Sequence, residues 1–260
     1  MSDQNGENFP RLVEVMRTLL APEGCPWDRE QTLESLRQYV IEEAYEVVDA
    51  IDKGDPKDLR EELGDLALQI VFQAELARAK GWFGPNDVVD AICEKLVRRH
   101  PWVFGDVKVE DAASAIDTWE KLKANEKKDR GALEGVPVAL PSLLRAVRVG
   151  EKASSVGYDW PEAGGPREKI DEELAELDSA VAEGDHAAVE QELGDLLFAV
   201  ASYARKRGID PEASLRGALD RFTDRFGHAE REAARLHEGG LRDMTPDELD
   251  RLWQEAKRRT

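Results

Sequence analysis

Two stretches of this 260-residue chain carry one acidic pattern, and that repetition constrains the fold more than any other feature. The first stretch reads Glu42-Glu43-Ala44-Tyr45-Glu46 and, further on, Glu62-Leu63-Gly64-Asp65. The second reads Glu172-Glu173-Leu174-Ala175-Glu176 and then Glu192-Leu193-Gly194-Asp195. Gly54-Asp55 and Gly184-Asp185 lie between them, and all these positions are shifted by the same 130 residues (172 − 42, 184 − 54, 192 − 62). A shared offset at so many positions marks an internal duplication. The chain must therefore build the same local structure twice.

The spacing within each copy is helical. Residues i, i+3 and i+4 share one helix face, so Glu43 and Glu46 project together, as do Glu62 and Asp65. Gly54-Asp55-Pro56 reads as a helix end, a cap and a first-turn proline, which makes a short break between antiparallel neighbours. The two acidic pairs then meet across the interface, flanked by Val40 and Val47 on one helix and Leu59 and Leu66 on the other. Four carboxylates so placed repel one another and lose hydration. A hard divalent cation relieves both costs, and Mg²⁺ prefers oxygen ligands. The same argument applies to Glu173, Glu176, Glu192 and Asp195. A single EExxE is ordinarily a solvated acidic face; the matching pair on the next helix and the second copy favour a metal site. A di-iron bundle would need Glu-x-x-His within helices. None of the 4 histidines falls inside the duplicated pattern. Gly64 and Gly194, unfavourable by about 1 kcal/mol in a helix interior, suggest close approach of a backbone or ligand, or tight helix packing.

The remaining chain reads as further helices. Periodicity predicts one over 11–20, then a loop over 21–31 and a helix capped by Thr32 that runs to about 52. Others are expected from 56 to about 80, from 85 to 100 and from 112 to 127. Gly131 to Pro141 contains Gly135, Pro137 and Pro141 and reads as a linker. Ser142 is expected to cap a helix to 155. The loop Val156-Gly157-Tyr158-Asp159-Trp160-Pro161 resembles the 25–28 loop in content. Helices follow at about 166–183, 185–207, 211–237 and 245–258. No stretch reads as a convincing strand. The expected fold is all-α, a tandem repeat of two helical bundles, with domains at 1–130 and 142–260 joined by a linker at 131–141.

Net charge is −19, which argues against a partner such as a nucleic-acid polymer. It leaves open a phosphorylated small molecule bridged by Mg²⁺. The 2 cysteines, Cys25 and Cys93, form no CxxC pair or disulfide framework. No run approaches 18 apolar residues, so no membrane span is expected. The polar Met1 to Pro10 stretch has no apolar signal segment. A reducing, cytoplasmic setting is the expectation.

Basic residues supply contacts for outer phosphates. Lys95, Arg98 and Arg99 end the fourth helix of the first half, and Arg221 and Arg225 occupy the corresponding helix of the second. Cations there either hold phosphates or complement the helix dipole. Lys169 stands four residues before Glu173, where the first half has Tyr39. Trp27, Trp160 and Trp253 can stack on a base or pack in a core. Trp253 and Lys257 share the tail helix. The second half thus has the fuller set of substrate contacts.

The motifs E-E-x-x-E and E-L-G-D resemble those of the MazG family of nucleoside triphosphate pyrophosphohydrolases. So do Gly24-Cys25-Pro26-Trp27-Asp28, Arg98-Arg99-His100-Pro101 and Val156-Gly157-Tyr158-Asp159-Trp160. The resemblance implies an all-α bundle, usually a homodimer, that uses Mg²⁺ to convert nucleoside triphosphates to monophosphate and pyrophosphate, in a housecleaning role. Mn²⁺ is a substitute for Mg²⁺. Glu43, Glu46, Glu62 and Asp65, with Glu173, Glu176, Glu192 and Asp195, match the family's metal ligands. Arg221 departs from the common Lys of the fourth motif, keeping charge but changing donor geometry. Metal-assisted hydrolysis is the expected mechanism, with Glu42 or Glu172 taking the water's proton. Two alternatives remain: a dUTP- or phosphoribosyl-ATP-specific pyrophosphohydrolase on the same scaffold, or a non-catalytic acidic interaction module.

Overall fold

The computed structural model describes residues 8–126 and 131–259, and those residues form helices and connecting turns. By internal contacts the chain divides into two units, Met1–Lys128 and Asp129–Thr260.

The first unit contains α1 (Phe9–Leu20), α2 (Pro26–Glu30), α3 (Arg37–Lys53), α4 (Pro56–Ala79), α5 (Pro85–Arg99), α6 (Pro101–Phe104) and α7 (Ala112–Asn125). Helices α3 and α4 form the central hairpin, and α1 packs on α4. Val13, Met16, Leu36, Val71 and Phe72 make its buried core, with Leu19, Tyr39 and Leu68 packed around it.

The second unit contains α8 (Ser142–Ser155), α9 (Gly164–Glu183), α10 (His186–Lys206), α11 (Pro211–Leu236) and α12 (Pro246–Lys257), with a 3₁₀ turn at Gly240–Asp243. Helices α9 and α10 form the equivalent hairpin, and α8 packs on α10. Helices α11 and α12 form a second hairpin closed by Ala229, Ala233 and Leu252.

Both central hairpins turn by the same device. Gly54 and Gly184 end their helices in the left-handed conformation, with φ of 70° and 73°. A glycine accepts that conformation without a Cβ penalty. Asp55 and Asp185 follow and cap the next helix, accepting from the Lys57 and Ala187 amides.

Several local expectations change. The segment 21–31 is not all loop, because α2 forms within it, opened by Pro26 in its first turn. Thr32 does not cap α3. It exchanges backbone and side-chain hydrogen bonds with Ser35 in a separate turn, and the helix begins at Arg37. Ser142 is the first residue of α8, with Pro141 at the cap. Residue 127 of the expected 112–127 helix lies outside the described residues.

Candidate metal centres

In the first unit, ligand oxygens of Glu43, Glu62 and Asp65 all lie within 4.8 Å of one another. In the second, the same holds for Glu173, Glu176 and Glu192. Each group draws on both helices of its hairpin, as one-face spacing on antiparallel neighbours requires. The fourth member, Glu46 in one unit and Asp195 in the other, lies outside the tight group. Both remain close enough to act on their neighbours electrostatically.

The electrostatics of the two groups favour the approach of a cation. Partial burial raises the carboxyl pKa of Glu43, and the charges of Asp65 and Glu46 raise it further. Loss of hydration likewise raises Glu62, with Glu46 and Asp65 adding to it. Glu192 is raised by loss of hydration and then by Glu176, Glu173 and Asp195. Three oxygen donors converging under mutual repulsion, with no His or Cys in either group, fit a hard divalent cation.

The two units differ one turn away. Lys169 Nζ lies 2.6 Å from Glu173, itself only 4% exposed, and 2.8 Å from Glu172. These carboxylates raise the lysine pKa, Glu172 first. The first unit has Tyr39 at this place, which packs against the core and meets Trp27 edge-on at 6.0 Å. Glu42 is exposed on α3 beside Glu43.

The basic residues are not equally placed. Arg98 donates to Glu126 at 2.8 Å, and Arg99 donates two bonds to the same carboxylate at 3.1 and 2.5 Å. Chiefly through Arg99, these bonds hold the Glu126 carboxyl down to about 2. Sequence spacing gave no sign of Glu126. Lys95 is exposed beside Arg98 in a shallow recess on α5. Arg221, Arg225, Trp253 and Lys257 lie together on the α11–α12 hairpin, not on the hairpin that carries the carboxylates. Arg221 and Lys257 are exposed there. Trp253 rests against Phe222 with ring centroids 5.3 Å apart.

Among the described residues of their own units, Gly64 and Gly194 do not mark helix packing. A Cβ at either would meet no atom within 4 Å. Both sit on outward faces beside Leu63 and Leu193, which are about half exposed (49% and 47%).

The MazG nucleotide pyrophosphohydrolase domain matches residues 31–104 and 167–229, segments that include both carboxylate groups. The chain belongs to the MazG family. A Thermotoga maritima protein named nucleoside triphosphate pyrophosphohydrolase/pyrophosphatase MazG is 42% identical over 253 residues, covering 96% of this chain and 95% of its own. A nucleoside triphosphate pyrophosphohydrolase of Escherichia coli K12 is 41% identical over 255 residues, covering 95% of this chain and 96% of its own. The MazG match falls on two hairpins of one design, so family membership and duplication describe the same feature.

Two further ion-pair clusters carry no local sequence signature. Arg205 grips Asp159 with two bonds, 3.0 and 2.6 Å, and Lys206 joins at 2.6 Å. Arg205 chiefly, then Lys206, hold the Asp159 carboxyl well below the usual range. In the first unit Glu75, wholly buried, takes Arg17 at 2.9 Å and Arg78 at 2.6 Å. Positions 75 and 205 share the 130-residue offset with opposite charge, which was the available signal.

Proposed function

We propose that this chain is a nucleoside triphosphate pyrophosphohydrolase, converting NTP and water to NMP and pyrophosphate at the second unit. The observation that carries the reading is the convergence of Glu173, Glu176 and Glu192 beside Lys169 in a chain of the MazG family. Glu173, Glu176, Glu192 and Asp195 would hold Mg²⁺, with Mn²⁺ as a substitute. When bound, the cation supplies neutralisation of phosphate charge and orientation of the triphosphate.

The chain's own groups do the rest. Lys169 already has its ammonium among the carboxylates, and an arriving phosphate gives it a second anion to hold. Glu172, exposed and one residue from Glu173, is placed to accept the proton of the attacking water. Water supplies the new oxygen on phosphorus, the α–β anhydride bond breaks, and pyrophosphate leaves. Arg221, Arg225 and Lys257 are the further cations for phosphate, and Trp253 the aromatic for contact with the nucleoside. In the first unit Glu43, Glu46, Glu62 and Asp65 form a cation site, with Glu42 beside it. Its Arg99, with Arg98, is occupied by Glu126, which leaves fewer cations for phosphate there and favours the second unit for catalysis.

We further propose a homodimer, domains at 1–130 and 142–260 with a linker at 131–141, and broad housecleaning of nucleotide pools in the cytoplasm. No helix among the described residues is long and apolar enough to cross a membrane. Dimer formation is supported by apolar side chains left outside in matched register: Leu63 and Ile70 in one hairpin, Leu193 and Val200 in the other.

The test is product chromatography. Equimolar NMP and pyrophosphate that require Mg²⁺ support the reading. NDP and orthophosphate as main products, or full turnover in excess EDTA, overturn it.

A further inference from the structure

Helix α7 is followed by a carboxylate that fills a basic site on α5. Helices α5 and α11 are counterparts in the duplication. Pro85, Lys95 and Arg99 recur as Pro211, Arg221 and Arg225 at an offset of 126 residues (211 − 85, 221 − 95, 225 − 99). The helices that cover them match as well. Trp119 and Lys123 of α7 recur as Trp253 and Lys257 of α12, at an offset of 134 (253 − 119, 257 − 123). Helix α7 packs on α5 as α12 packs on α11. At the same offset Glu126 corresponds to Thr260 (260 − 126), so the second unit has no carboxylate side chain at this place in its sequence.

Glu126 sits on the α5 cations as a bound anion would. One of its oxygens accepts from Arg98 Nε, and the other accepts from Arg99 Nε and Nη2. A carboxylate bridging two guanidinium groups makes the contacts that a phosphate oxyanion makes to an arginine pair. The Arg99 guanidinium also lies 5.7 Å from the centre of the Trp119 ring, and Lys123 Nζ stands 4.4 Å from the same ring. Every α7 residue whose burial is described is exposed or half-buried. The helix is therefore held to α5 by the Glu126 bridge and the Trp119 contact, with no sealed apolar core. Beside the bridge there is open space. Lys95 and Arg98 line a recess of about 570 Å³ with Phe83, Val88 and Ile92. Asp87, two turns from Lys95, also lines it and accepts the Gly84 amide.

We propose that Glu126 is a latch over an oxyanion site in the first unit: when α7 releases, Lys95, Arg98 and Arg99 take a diphosphate group in its place. A single carboxylate faces three cations, so a multiply charged oxyanion pairs with them more completely than Glu126 does. Free pyrophosphate and the diphosphate of a nucleotide share this chemistry. Binding is coupled to release of α7, because the anion and the Glu126 carboxylate compete for the same guanidinium groups. The apparent affinity is lowered by the fraction of time the latch is closed. The matching cations of the second unit carry no such latch, since Thr260 stands at the place of Glu126. The inference rests on the triphosphate reading only through the match of α5 to α11.

Calorimetric titration of the full chain with pyrophosphate in metal-free buffer tests this. Arg221→Ala/Arg225→Ala serves as the background, so that binding at α11 does not mask binding at α5. In that background Glu126→Gln keeps the size of the side chain and removes its charge. We expect the Kd for pyrophosphate to fall about tenfold, as for a latch closed about 90% of the time. Adding Arg98→Ala should abolish the gain. ADP is titrated in parallel: tighter ADP assigns a nucleotide source, and equal or weaker ADP assigns free pyrophosphate. In the parent chain, saturating pyrophosphate should speed amide hydrogen exchange across 112–126, a measurement that needs no variant. An unchanged Kd in Glu126→Gln, a gain that survives Arg98→Ala, or unchanged exchange across 112–126 would overturn the latch. If the parent protein hydrolyses no NTP, the proposed activity falls, while metal-free binding and exchange still decide the latch.

Discussion

The ammonium of Lys169 sits 2.6 Å from the buried carboxylate of Glu173, inside the group of acids that would hold a cation. The second unit thus carries an internal counter-ion that the first unit, with Tyr39, does not. Lys169 and a metal ion compete for the same negative charge. Lys169→Met should therefore tighten Mg²⁺ binding in the absence of nucleotide, read by calorimetry. It should also leave a buried carboxylate unpaired and so lower metal-free stability, and saturating Mg²⁺ should restore most of that loss. For catalysis, kcat/KM should fall about a hundredfold as a phosphate contact disappears. Weaker Mg²⁺ binding in the variant would show that Lys169 supports the metal instead of competing with it.

The two units should respond unequally to loss of a ligand. Glu173→Ala or Asp195→Ala should lower kcat by about a thousandfold, since a metal contributes several kcal/mol of charge stabilisation. Glu43→Ala or Asp65→Ala should change kcat less than tenfold, because Glu126 already occupies Arg98 and Arg99. Steady-state kinetics with folding checked by circular dichroism decide this. Equal losses would mean two working sites or strong coupling, and a loss confined to Glu43 and Asp65 would place catalysis in the first unit.

Asp159 gives a pH dependence with a definite sign. Its pKa is depressed in the folded state by Arg205 and Lys206. The stabilisation is present above the ordinary aspartate pKa of about 3.9 and is lost as pH falls through the lower folded value. Asp159→Asn should thus be less stable than the parent by about 3 kcal/mol at pH 7, since Arg205 keeps its burial but loses its anion. Below the ordinary aspartate value of about 3.9, where the unfolded chain takes up the proton that the folded carboxyl still refuses, the gap should narrow. Urea melts across pH 2.5 to 7 check the trend, and a gap that stays constant would remove Asp159 from the pair.

Assembly is read from mass. The outward Leu63, Ile70, Leu193 and Val200 should be covered by a second copy. Light scattering at micromolar concentration should give a dimer of the 29.1 kDa chain. Leu193→Glu would place a charge in the contact, and a shift toward monomer is expected. A monomeric parent protein would count against the homodimer.

The sequence by itself determined the all-α fold and the two carboxylate-bearing hairpins, because both depend on local rules. Helical spacing puts Glu43 beside Glu46 and Glu192 beside Asp195 whatever else the chain does. Gly54-Asp55 and Gly184-Asp185 set the turns through a left-handed glycine and an aspartate cap, each within a few residues. Local rules misplaced the helix start at Thr32, whose hydroxyl accepts the Ser35 amide in a separate turn ahead of α3. They also gave nothing on partners distant in sequence. Glu126 binds Arg98 and Arg99 from 28 and 27 residues away, and Arg205 reaches Asp159 across 46. Only the tertiary structure decided that Arg98 and Arg99 of the first unit are occupied and that Gly150 and Ser202 line one hollow in the second. A partner is chosen by which helices pack together, and a cavity by the side chains missing from both facing surfaces. Neither is a property of one helix, so neither can be read from its periodicity.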